Sequence, residues 1–336
     1  MSRAYVLMTA MPPTKGHLHL IQFAAKVGDT AEVIVTTQPS EPYPFERLQA
    51  LRDATAGMNV NIHHIHKELP QEPVGQPFWD MWVDFLLTYG FRAPDDFIVA
   101  SEMYGKTLAD LTGTRFVPYD LNREVYGIRA TQVREDPIYY FDHVLPEFQP
   151  LLRKRVTIFG AESTGKTTLA KSLAQEVNGH FIPEWARQYL MEVDRDISVD
   201  SMTAIWRGQK ALQEQAADLV DKPFIIQDTD LYSTYGYWKF WDASSLPFSL
   251  LADALESTSD LYLITQSNIP FEKDPIRYGG DKREQDDAYW INLAETMNLN
   301  YRVIQSDSPE DRLEEAAHLA LEFYEESVDM KYDRIA

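Results

Sequence analysis

Short apolar runs alternate along the chain with longer stretches in which apolar residues recur at helical spacing. The short, often β-branched runs predict strands, and the longer amphipathic stretches predict helices. The predicted strands lie at 5–8, 31–37, 60–65, 97–100, 115–118, 156–159, 224–227, 261–265 and 301–304. The predicted helices lie at 18–27, 45–55, 78–89, 167–177, 199–220 and 311–325. Strands separated by helices are typical of parallel sheets covered on both faces, which predicts an α/β fold.

Two blocks of the chain repeat one arrangement, a strand that enters a glycine-containing turn and continues into a helix. The first block begins at Tyr5 and the second at Val156. A chain of 336 residues has room for two domains, and an aromatic, proline-containing stretch at about 136–154 separates the blocks. We therefore predict two doubly wound parallel-sheet domains, at 1–145 and 150–336.

Composition limits the classes of function. The 52 acidic residues outnumber the 31 Lys and Arg residues, and the resulting net charge of -21 disfavours a nucleic-acid partner. The absence of cysteine excludes a disulfide scaffold, a thiolate zinc site and a cysteine nucleophile. The sequence contains no apolar run of the roughly 18 residues that a membrane span needs and no recognisable signal peptide. We therefore expect a cytoplasmic protein without a membrane partner, whose sequence leaves open whether it forms a homo-oligomer.

The turn of the second block, GAESTGKTT at 160–168, fits the pattern G-x-x-x-x-G-K-[ST] at every fixed position. Its glycines let backbone N–H groups point at phosphate oxygens. In such a loop Lys166 reaches the β- and γ-phosphates, and the hydroxyl of Thr167 ligates Mg²⁺. The pattern therefore predicts a site for ATP and Mg²⁺. The predicted cofactor-binding residues are Gly160, Ser163, Thr164, Gly165, Thr167 and Thr168.

Phosphoryl transfer also needs carboxylates, and two segments supply them. The strand at 224–227 ends in the sequence DTD, in which Asp228 is predicted to complete the metal site. Asp230 is either a substrate-facing base or the cap of the next helix. Glu184 competes with Asp230 as the base, with Arg187 nearby as a cofactor-binding cation, but Glu184 also fits the first turn of a helix. Both alternatives stay open for Asp230 and Glu184.

A charged loop at 272–283 combines several cations with a pair of glycines. Such a loop suits a lid over the transferring phosphoryl group, in which Arg277 would neutralise phosphate charge. A mixed-charge loop is equally typical of a solvated surface. Together, the phosphate loop, the acid at the strand end and this basic loop predict a small-molecule kinase.

The turn of the first block, PPTKGH at 12–17, opens the first predicted helix. It resembles the [HT]-x-G-H turn with which nucleotidyltransferases bind ATP. Gly16 would allow close approach of the triphosphate, and His17 would donate a hydrogen bond to charge developing at the α-phosphorus. Thr14 would add a hydroxyl contact and Lys15 a countercharge. A helix N-cap at Thr14 followed by a surface histidine explains the same spacing.

A second segment, GIRATQVR at 127–134, resembles the I-S-x-T-x-[IV]-R segment of the same superfamily. In that segment a hydroxyl and an arginine at a helix start grip the β- and γ-phosphates of ATP. Thr131 and Arg134 match it, and Arg129 stands in place of the usual serine. The resemblance implies that the first domain is a Rossmann-like nucleotidyltransferase.

The order of these motifs, and the segment that joins them, resemble the NadR family of bifunctional nicotinamide mononucleotide (NMN) adenylyltransferase and ribosylnicotinamide kinase. The resemblance implies a nucleotidyltransferase followed by a P-loop kinase that phosphorylates nicotinamide riboside with ATP and adenylylates the resulting NMN to NAD. It also implies that residues 308–312 lie near the adenine of the kinase site. Typical members carry an N-terminal helix-turn-helix module that this sequence does not predict, so we expect no direct regulation of DNA.

Two other functions also fit the sequence. An adenylyltransferase–kinase pair acting on another cofactor precursor, such as the last steps to coenzyme A, would keep the same architecture. A non-catalytic sensor of NAD or ATP is favoured by Met8 and Ala10, which stand where the family usually has Gly and Phe, and by Arg129.

Aromatic and histidine residues of the first domain have two interpretations. Trp82 would stack on a pyridine ring, as an aromatic residue does in related transferases, but its i, i+3 spacing from Trp79 is typical of a helix core. The histidines at 63, 64 and 66 lack acids at ligand spacing, which favours surface histidines over a metal cluster.

Overall fold

The computed structural model describes residues 1–70, 75–269 and 283–328. Contacts between residues divide this part of the chain into two compact units, with the division between Leu151 and Leu152. We call residues 1–151 unit 1 and residues 152–328 unit 2. Each unit contains one five-stranded sheet in which all strands run parallel.

Unit 1 has its first strand at the centre of the sheet, in the order β3-β2-β1-β4-β5. Nearly all residues of β1 and β2 are buried, as expected for strands that helices cover on both faces. Its strands are β1 Arg3–Met8, β2 Thr30–Thr37, β3 Val60–His66, β4 Phe97–Ala100 and β5 Arg115–Pro118. Its helices are α1 Lys15–Val27, α2 Pro44–Ala54, α3 Gln76–Thr88, α4 Tyr104–Thr112 and α5 Ala130–Glu135, and α6 Gln149–Leu152 follows at the division.

Unit 2 repeats this plan, with its first strand again central in the order β10-β9-β6-β8-β7. Its strands are β6 Lys154–Gly160, β7 Gly179–Ile182, β8 Phe224–Asp228, β9 Leu261–Thr265 and β10 Tyr301–Val303. Its helices are α7 Lys166–Glu176, α8 Trp185–Glu192, α9 Val199–Leu219, α10 Leu231–Asp242, α11 Phe248–Glu256, α12 Arg283–Thr296 and α13 Pro309–Ser327. In both units the turn after the central strand lies where the strand order reverses, which is where α/β folds bind ligands.

The two units confirm the predicted α/β class with two parallel sheets. The strands and helices predicted from the hydrophobic pattern are present, with small shifts at their ends. The predicted strands and helices did not include β7, α4, α5, α6, α8, α11 or α12, most of which are short. Helix α10 was expected only as the helix that Asp230 would cap, because aromatic residues on most of its sides hide its period.

A buried polar network ties the central strands of unit 2 together. Gln227 on β8 donates from Nε2 to the hydroxyl of Thr157 on β6 at 2.9 Å and to the hydroxyl of Ser259 at 2.8 Å. The two hydroxyls share a hydrogen bond of 2.7 Å. All three side chains are buried, and a buried polar group is stabilising only when it is hydrogen-bonded. The network therefore links the strand that carries the phosphate loop to the strand that carries Asp228.

Candidate nucleotide-binding sites

The phosphate loop of unit 2 connects the central strand β6 to α7. Gly160 has a φ of +132°, and a Cβ atom there would lie 2.5 Å from the carbonyl oxygen of Thr265. Gly165 caps α7 with a φ of +81°. A side chain at Gly160 would collide with the backbone, and the left-handed backbone at Gly165 favours glycine. The two fixed glycines of the pattern are thus required by the shape of the loop.

Lys166 and Thr164 close the loop around one carbonyl group. Lys166 Nζ donates to the Ala161 oxygen at 2.6 Å, and Thr164 Oγ1 donates to the same oxygen at 2.8 Å. Thr164 also hydrogen-bonds to the hydroxyl of Thr265 at 2.7 Å. A phosphate oxygen is a stronger acceptor for an ammonium group than a neutral carbonyl is. When a nucleotide binds, the ammonium group of Lys166 could therefore exchange its hydrogen bond to the Ala161 carbonyl for one to a phosphate oxygen.

Asp228 ends β8 beside Thr167, the second residue of α7. Burial raises the pKa of Asp228, while a hydrogen bond from Thr167 and the charge of Lys166 oppose that rise. Within the described residues, Asp228 Oδ1 is buried without a hydrogen-bond partner. Mg²⁺ takes hydroxyl and carboxylate oxygens together with those of a phosphate. Thr167 and Asp228 thus fit the predicted metal site.

Glu184 lies at the N-cap position of α8, directly after β7. Its side chain makes no capping hydrogen bond to the helix, and it lines the cavity beside the phosphate loop. Burial raises the pKa of Glu184 to about 7, helped by the nearby carboxylate of Asp228 and opposed by Lys166 and Arg187. A carboxyl group with a pKa near the working pH can act as a general base.

Asp230 has the surroundings of a helix cap. Its Oδ1 accepts from the backbone N–H of Ser233 at 3.1 Å, and its Oδ2 accepts from the hydroxyl of Tyr262 at 2.8 Å. Asp230 is buried and does not line the cavity. Of the two alternatives that the sequence left open for Asp230, this geometry is that of the cap of α10, whereas Glu184 lines the cavity.

Replacement of Asp230 by alanine is expected to lower the free energy of unfolding by roughly 2–4 kcal/mol. The change removes an N-cap acceptor and leaves the buried hydroxyl of Tyr262 without its acceptor. The Asp230→Asn variant keeps a side-chain oxygen that can cap the helix, so its free energy of unfolding should fall clearly less than that of Asp230→Ala. Urea unfolding of both variants measures the difference, and equal stability of Asp230→Ala and the wild type would contradict the capping role.

A cavity of about 940 Å³ opens beside the phosphate loop in unit 2. Its lining combines phosphate-loop residues and charged side chains with a set of apolar and aromatic side chains, which we call the apolar wall. The predicted residues that line it are Ser163, Gly165, Lys166, Thr167, Thr168, Glu184 and Arg187. The apolar wall contains Leu190, Ile197, Met202, Ile205, Tyr237, Phe240 and Trp241. The sequence analysis missed this wall, although the aromatic run at 235–241 is a signal for it.

The turn after β1 in unit 1 fixes the ring of His17. The backbone N–H of Thr14 donates to His17 Nδ1 at 3.0 Å, and the Thr14 hydroxyl lies 2.8 Å from the same nitrogen. Because a backbone N–H can only donate, Nδ1 carries a lone pair and the ring proton is on Nε2. Burial lowers the pKa of His17 to about 4, and Arg123 and Arg134 act in the same direction. The ring is therefore a neutral hydrogen-bond donor at pH 7.

Arg134 brings the second predicted segment to this turn. Its guanidinium donates to the carbonyl of Met11 and, at 3.2 Å, to the hydroxyl of Thr131. Thr14 is the N-cap of α1, as the alternative interpretation stated, and Lys15 is the first residue of that helix. The structure thus places Arg134 beside the turn that contains His17, and Thr131 contacts the guanidinium of Arg134.

Gly16 has a packing role that the sequence did not indicate. A Cβ atom at Gly16 would lie 2.7 Å from the ring of Tyr126. The Asp120 carboxylate holds the segment before that ring, because it accepts from the backbone N–H groups of residues 124, 125 and 126. The hydroxyl of Tyr126 also hydrogen-bonds to His143 at 2.8 Å. Tyr126 therefore belongs to the wall of this turn.

The remaining candidates of unit 1 have local partners. Trp82 packs among core residues of α3 and its neighbours, which matches the helix-core interpretation, and its stacking on a ligand stays a prediction. His63 pairs with Glu32 at 2.6 Å, while the other two histidines of β3 both contact the hydroxyl of Thr37. The described residues contain no cluster of three or more potential metal ligands. Arg277, the predicted lid residue, lies outside the described residues.

The fold and the cavity define a two-unit α/β protein whose second unit is a P-loop, kinase-like nucleotide-binding unit. Residues 155–312 match the family described as "AAA domain". No helix in the described ranges is both long and apolar enough to span a membrane.

Comparison with known proteins shows a sequence similarity that covers most of the chain. The "Trifunctional NAD biosynthesis/regulator protein NadR" of Escherichia coli (strain K12) is 25% identical over 337 aligned positions, which cover 93% of this chain and 80% of the relative. The protein of the same name from Salmonella typhimurium is 25% identical, over 86% of this chain and 74% of the relative. The predicted resemblance to NadR is thus confirmed.

Two solved structures share the fold along nearly all of the chain. A NadR protein in complex with NR superimposes with a TM-score of 0.60 at 21% identity, covering 100% of this chain and 98% of the other. A NadR protein in complex with NAD and AMP-PNP superimposes with a TM-score of 0.62 at 20% identity, covering 99% and 98%. The fold of this chain, with its two parallel-sheet units, is therefore similar to that of the NadR structures.

Proposed function

We propose that this chain catalyses two consecutive steps of NAD salvage. Unit 2 transfers the γ-phosphoryl group of ATP to nicotinamide riboside, which gives NMN. Unit 1, a Rossmann-like nucleotidyltransferase, then joins NMN to the adenylyl group of a second ATP, which gives NAD and pyrophosphate. The observation that carries the proposal is that each unit has its own phosphate-binding turn after a central strand, in a chain similar to NadR over both units.

The kinase step rests on the phosphate loop and Glu184. Backbone N–H groups of the loop and the ammonium of Lys166 hold the triphosphate and stabilise the charge on the transferring group. Thr167 and Asp228 would hold Mg²⁺, which neutralises phosphate charge when bound. Glu184 accepts the proton of the attacking ribose hydroxyl, and Arg187 beside it adds positive charge for the phosphates.

The aromatic wall of the cavity suits the base of the riboside. Tyr237, Phe240 and Trp241 line the cavity that also contains Glu184. A positively charged pyridinium ring stacks favourably on aromatic faces. A riboside with its ring on these aromatic side chains would lie in the same cavity as Glu184, which the proposal needs for its hydroxyl to reach the base. The binding of NR by a NadR protein of the same fold supports this choice of substrate.

The transferase step rests on hydrogen-bond donors in unit 1. The phosphate of NMN attacks the α-phosphorus of ATP, and the bond to pyrophosphate breaks. His17 donates from Nε2 to the oxygens on which charge develops, and Arg134 and Thr131 hold the leaving phosphates together with Lys15. Because the pKa of His17 is about 4, the ring stabilises charge as a neutral donor and does not act as a general acid.

The rate of the kinase step is expected to rise with pH through about 7 and then level off. Glu184 is active as a base only when ionised, and its pKa is about 7. The Glu184→Gln variant should be slower by about 10²-fold and should lose this dependence on pH. Initial rates of riboside consumption between pH 5.5 and 9 test both expectations. The control is Glu192→Gln, a change of an exposed acid on the same helix, and an unchanged pH profile in Glu184→Gln would exclude Glu184 as the base.

Product analysis tests the proposed function directly. The full chain is incubated with ATP, Mg²⁺ and nicotinamide riboside, and the products are separated by chromatography over time. NMN should appear first, followed by NAD and pyrophosphate. Dephospho-coenzyme A in place of the riboside should give no product. The absence of both NMN and NAD from a folded sample would contradict the proposal.

A further inference from the structure

Arg312 is a buried arginine near the start of α13, and its guanidinium contacts three loops of unit 2. Nη1 donates to the carbonyl oxygen of Thr164 in the phosphate loop at 2.7 Å. Nη2 donates to the carbonyl of Gln266, after β9, at 2.9 Å, and also to the side chain of Asn268. Nε donates to the carbonyl of Ser306, after β10, at 2.8 Å. The side chain of Arg312 thus connects the phosphate loop to the loops that follow β9 and β10.

Arginine suits this task for a geometric reason. Burial of a charged group is costly unless its hydrogen bonds are satisfied, and the planar guanidinium presents donors in several fixed directions. Arg312 uses these directions to reach backbone carbonyls on separate segments. A lysine, which carries a single ammonium group, could not reach all of them at once.

The contact with Thr164 also orients the next peptide group. In a trans peptide the C=O and the following N–H point in opposite directions. With the Thr164 carbonyl held on the guanidinium, the N–H of Gly165 points away from it. Gly165 also packs on the arginine, because a Cβ atom there would lie 3.7 Å from Nη1. The Gly165 N–H is one of the donors with which this type of loop binds phosphate.

We propose that Arg312 is a positioning residue for the phosphate loop. It holds the peptide group between Thr164 and Gly165 so that the N–H faces the phosphates of ATP. The inference rests on the proposed kinase function. It predicts that Arg312 strengthens the binding of the triphosphate whether or not an adenine is attached. The alternative is a direct contact with the adenine, since Arg312 also lines the cavity.

Inorganic tripolyphosphate separates these two roles because it has the phosphates of ATP and no base. The kinase step is followed as consumption of nicotinamide riboside, which gives the KM for ATP and the inhibition constant of Mg²⁺-tripolyphosphate against ATP. In Arg312→Lys both constants are expected to rise by a similar factor, about 10- to 100-fold, which corresponds to loss of a hydrogen bond from a charged group. The control is Arg302→Lys, a change of an exposed arginine on β10.

Two outcomes would overturn the inference. A higher KM for ATP with an unchanged inhibition constant for tripolyphosphate would assign Arg312 to the adenine. No change in either constant would show that the loop keeps its shape without the arginine. Should Arg312→Lys not fold, Asn268→Ala takes its place, since it removes one partner of the guanidinium and keeps the charge. We expect a several-fold rise in both constants for Asn268→Ala, and an unchanged inhibition constant would overturn the inference.

Failure of the proposed function gives a different result. A wild-type protein that binds Mg²⁺-tripolyphosphate in calorimetry but consumes no riboside would contradict the kinase proposal alone. The affinity for tripolyphosphate then replaces the inhibition constant, and Lys166→Ala identifies which part of the binding belongs to unit 2. A loss of that part in Arg312→Lys would still support the positioning role, and its retention would overturn it.

Discussion

Replacement of Lys166 by alanine is expected to slow riboside consumption by about 10³-fold and to leave the conversion of NMN to NAD within about twofold of the wild type. The ammonium group stabilises charge on the transferring phosphoryl group, and loss of one such interaction typically costs this factor. The loop should keep its shape, because the Ala161 carbonyl retains the hydroxyl of Thr164 as a donor. Separate assays with riboside and with NMN measure the two steps.

The matched control for this variant is Lys222→Ala, which removes an exposed lysine of unit 2 that contacts Asn178. It should keep both activities. Loss of both activities in a Lys166→Ala protein with an unchanged unfolding curve would contradict two separate active sites. Full kinase activity in this variant would contradict the role of the phosphate loop.

The second large effect is expected in unit 1, where His17→Asn should slow the formation of NAD from NMN by about 10³-fold. The asparagine oxygen can still accept from the backbone N–H of Thr14, as Nδ1 does now, so the cap of α1 is preserved. The donor at Nε2 is lost. Riboside should still be converted, so NMN is expected to accumulate when ATP and riboside are supplied together.

The control for His17→Asn is His63→Asn, a histidine of the same unit that pairs with Glu32 on neighbouring strands. His63→Asn should form NAD at nearly the wild-type rate. If His17→Asn formed NAD equally fast, the neutral-donor mechanism would be wrong. His17→Ala is expected to show the same kinetic loss with an additional loss of stability, since Thr14 then loses its acceptor.

The sequence predicted features that contiguous residues encode. The phosphate loop could be predicted because two glycines, a lysine and a hydroxyl at fixed spacing follow a β-branched strand. The strands could be predicted because parallel strands buried on both faces give short apolar runs. That Arg134 lies close to the turn after β1 could be predicted only from the resemblance to known transferases, because no local pattern relates residues so far apart in the chain.

Features that depend on distant residues could not be predicted in this way. Asp230 fits a base and a helix cap equally well within its own segment, and the hydroxyl of Tyr262, 32 positions away, favours the cap. Gly16 stays predicted as a point of close phosphate approach, whereas the ring of Tyr126 that lies against it could not be predicted from its own segment. The apolar wall of the cavity combines side chains of α8, α9 and α10 with Ile197, and no single segment specifies how these elements pack.

The buried network of Gln227, Thr157 and Ser259 has a consequence for how the sheet of unit 2 forms. A slip of β8 by two residues along β6 would keep its apolar side chains on the same faces, so hydrophobic packing would hardly oppose it. The slip would strand these polar groups in the interior, at about 1–3 kcal/mol for each. The network therefore favours the observed register of β8 on β6. In this register Asp228 pairs with Ile158, close to the phosphate loop, without any contribution from a bound nucleotide.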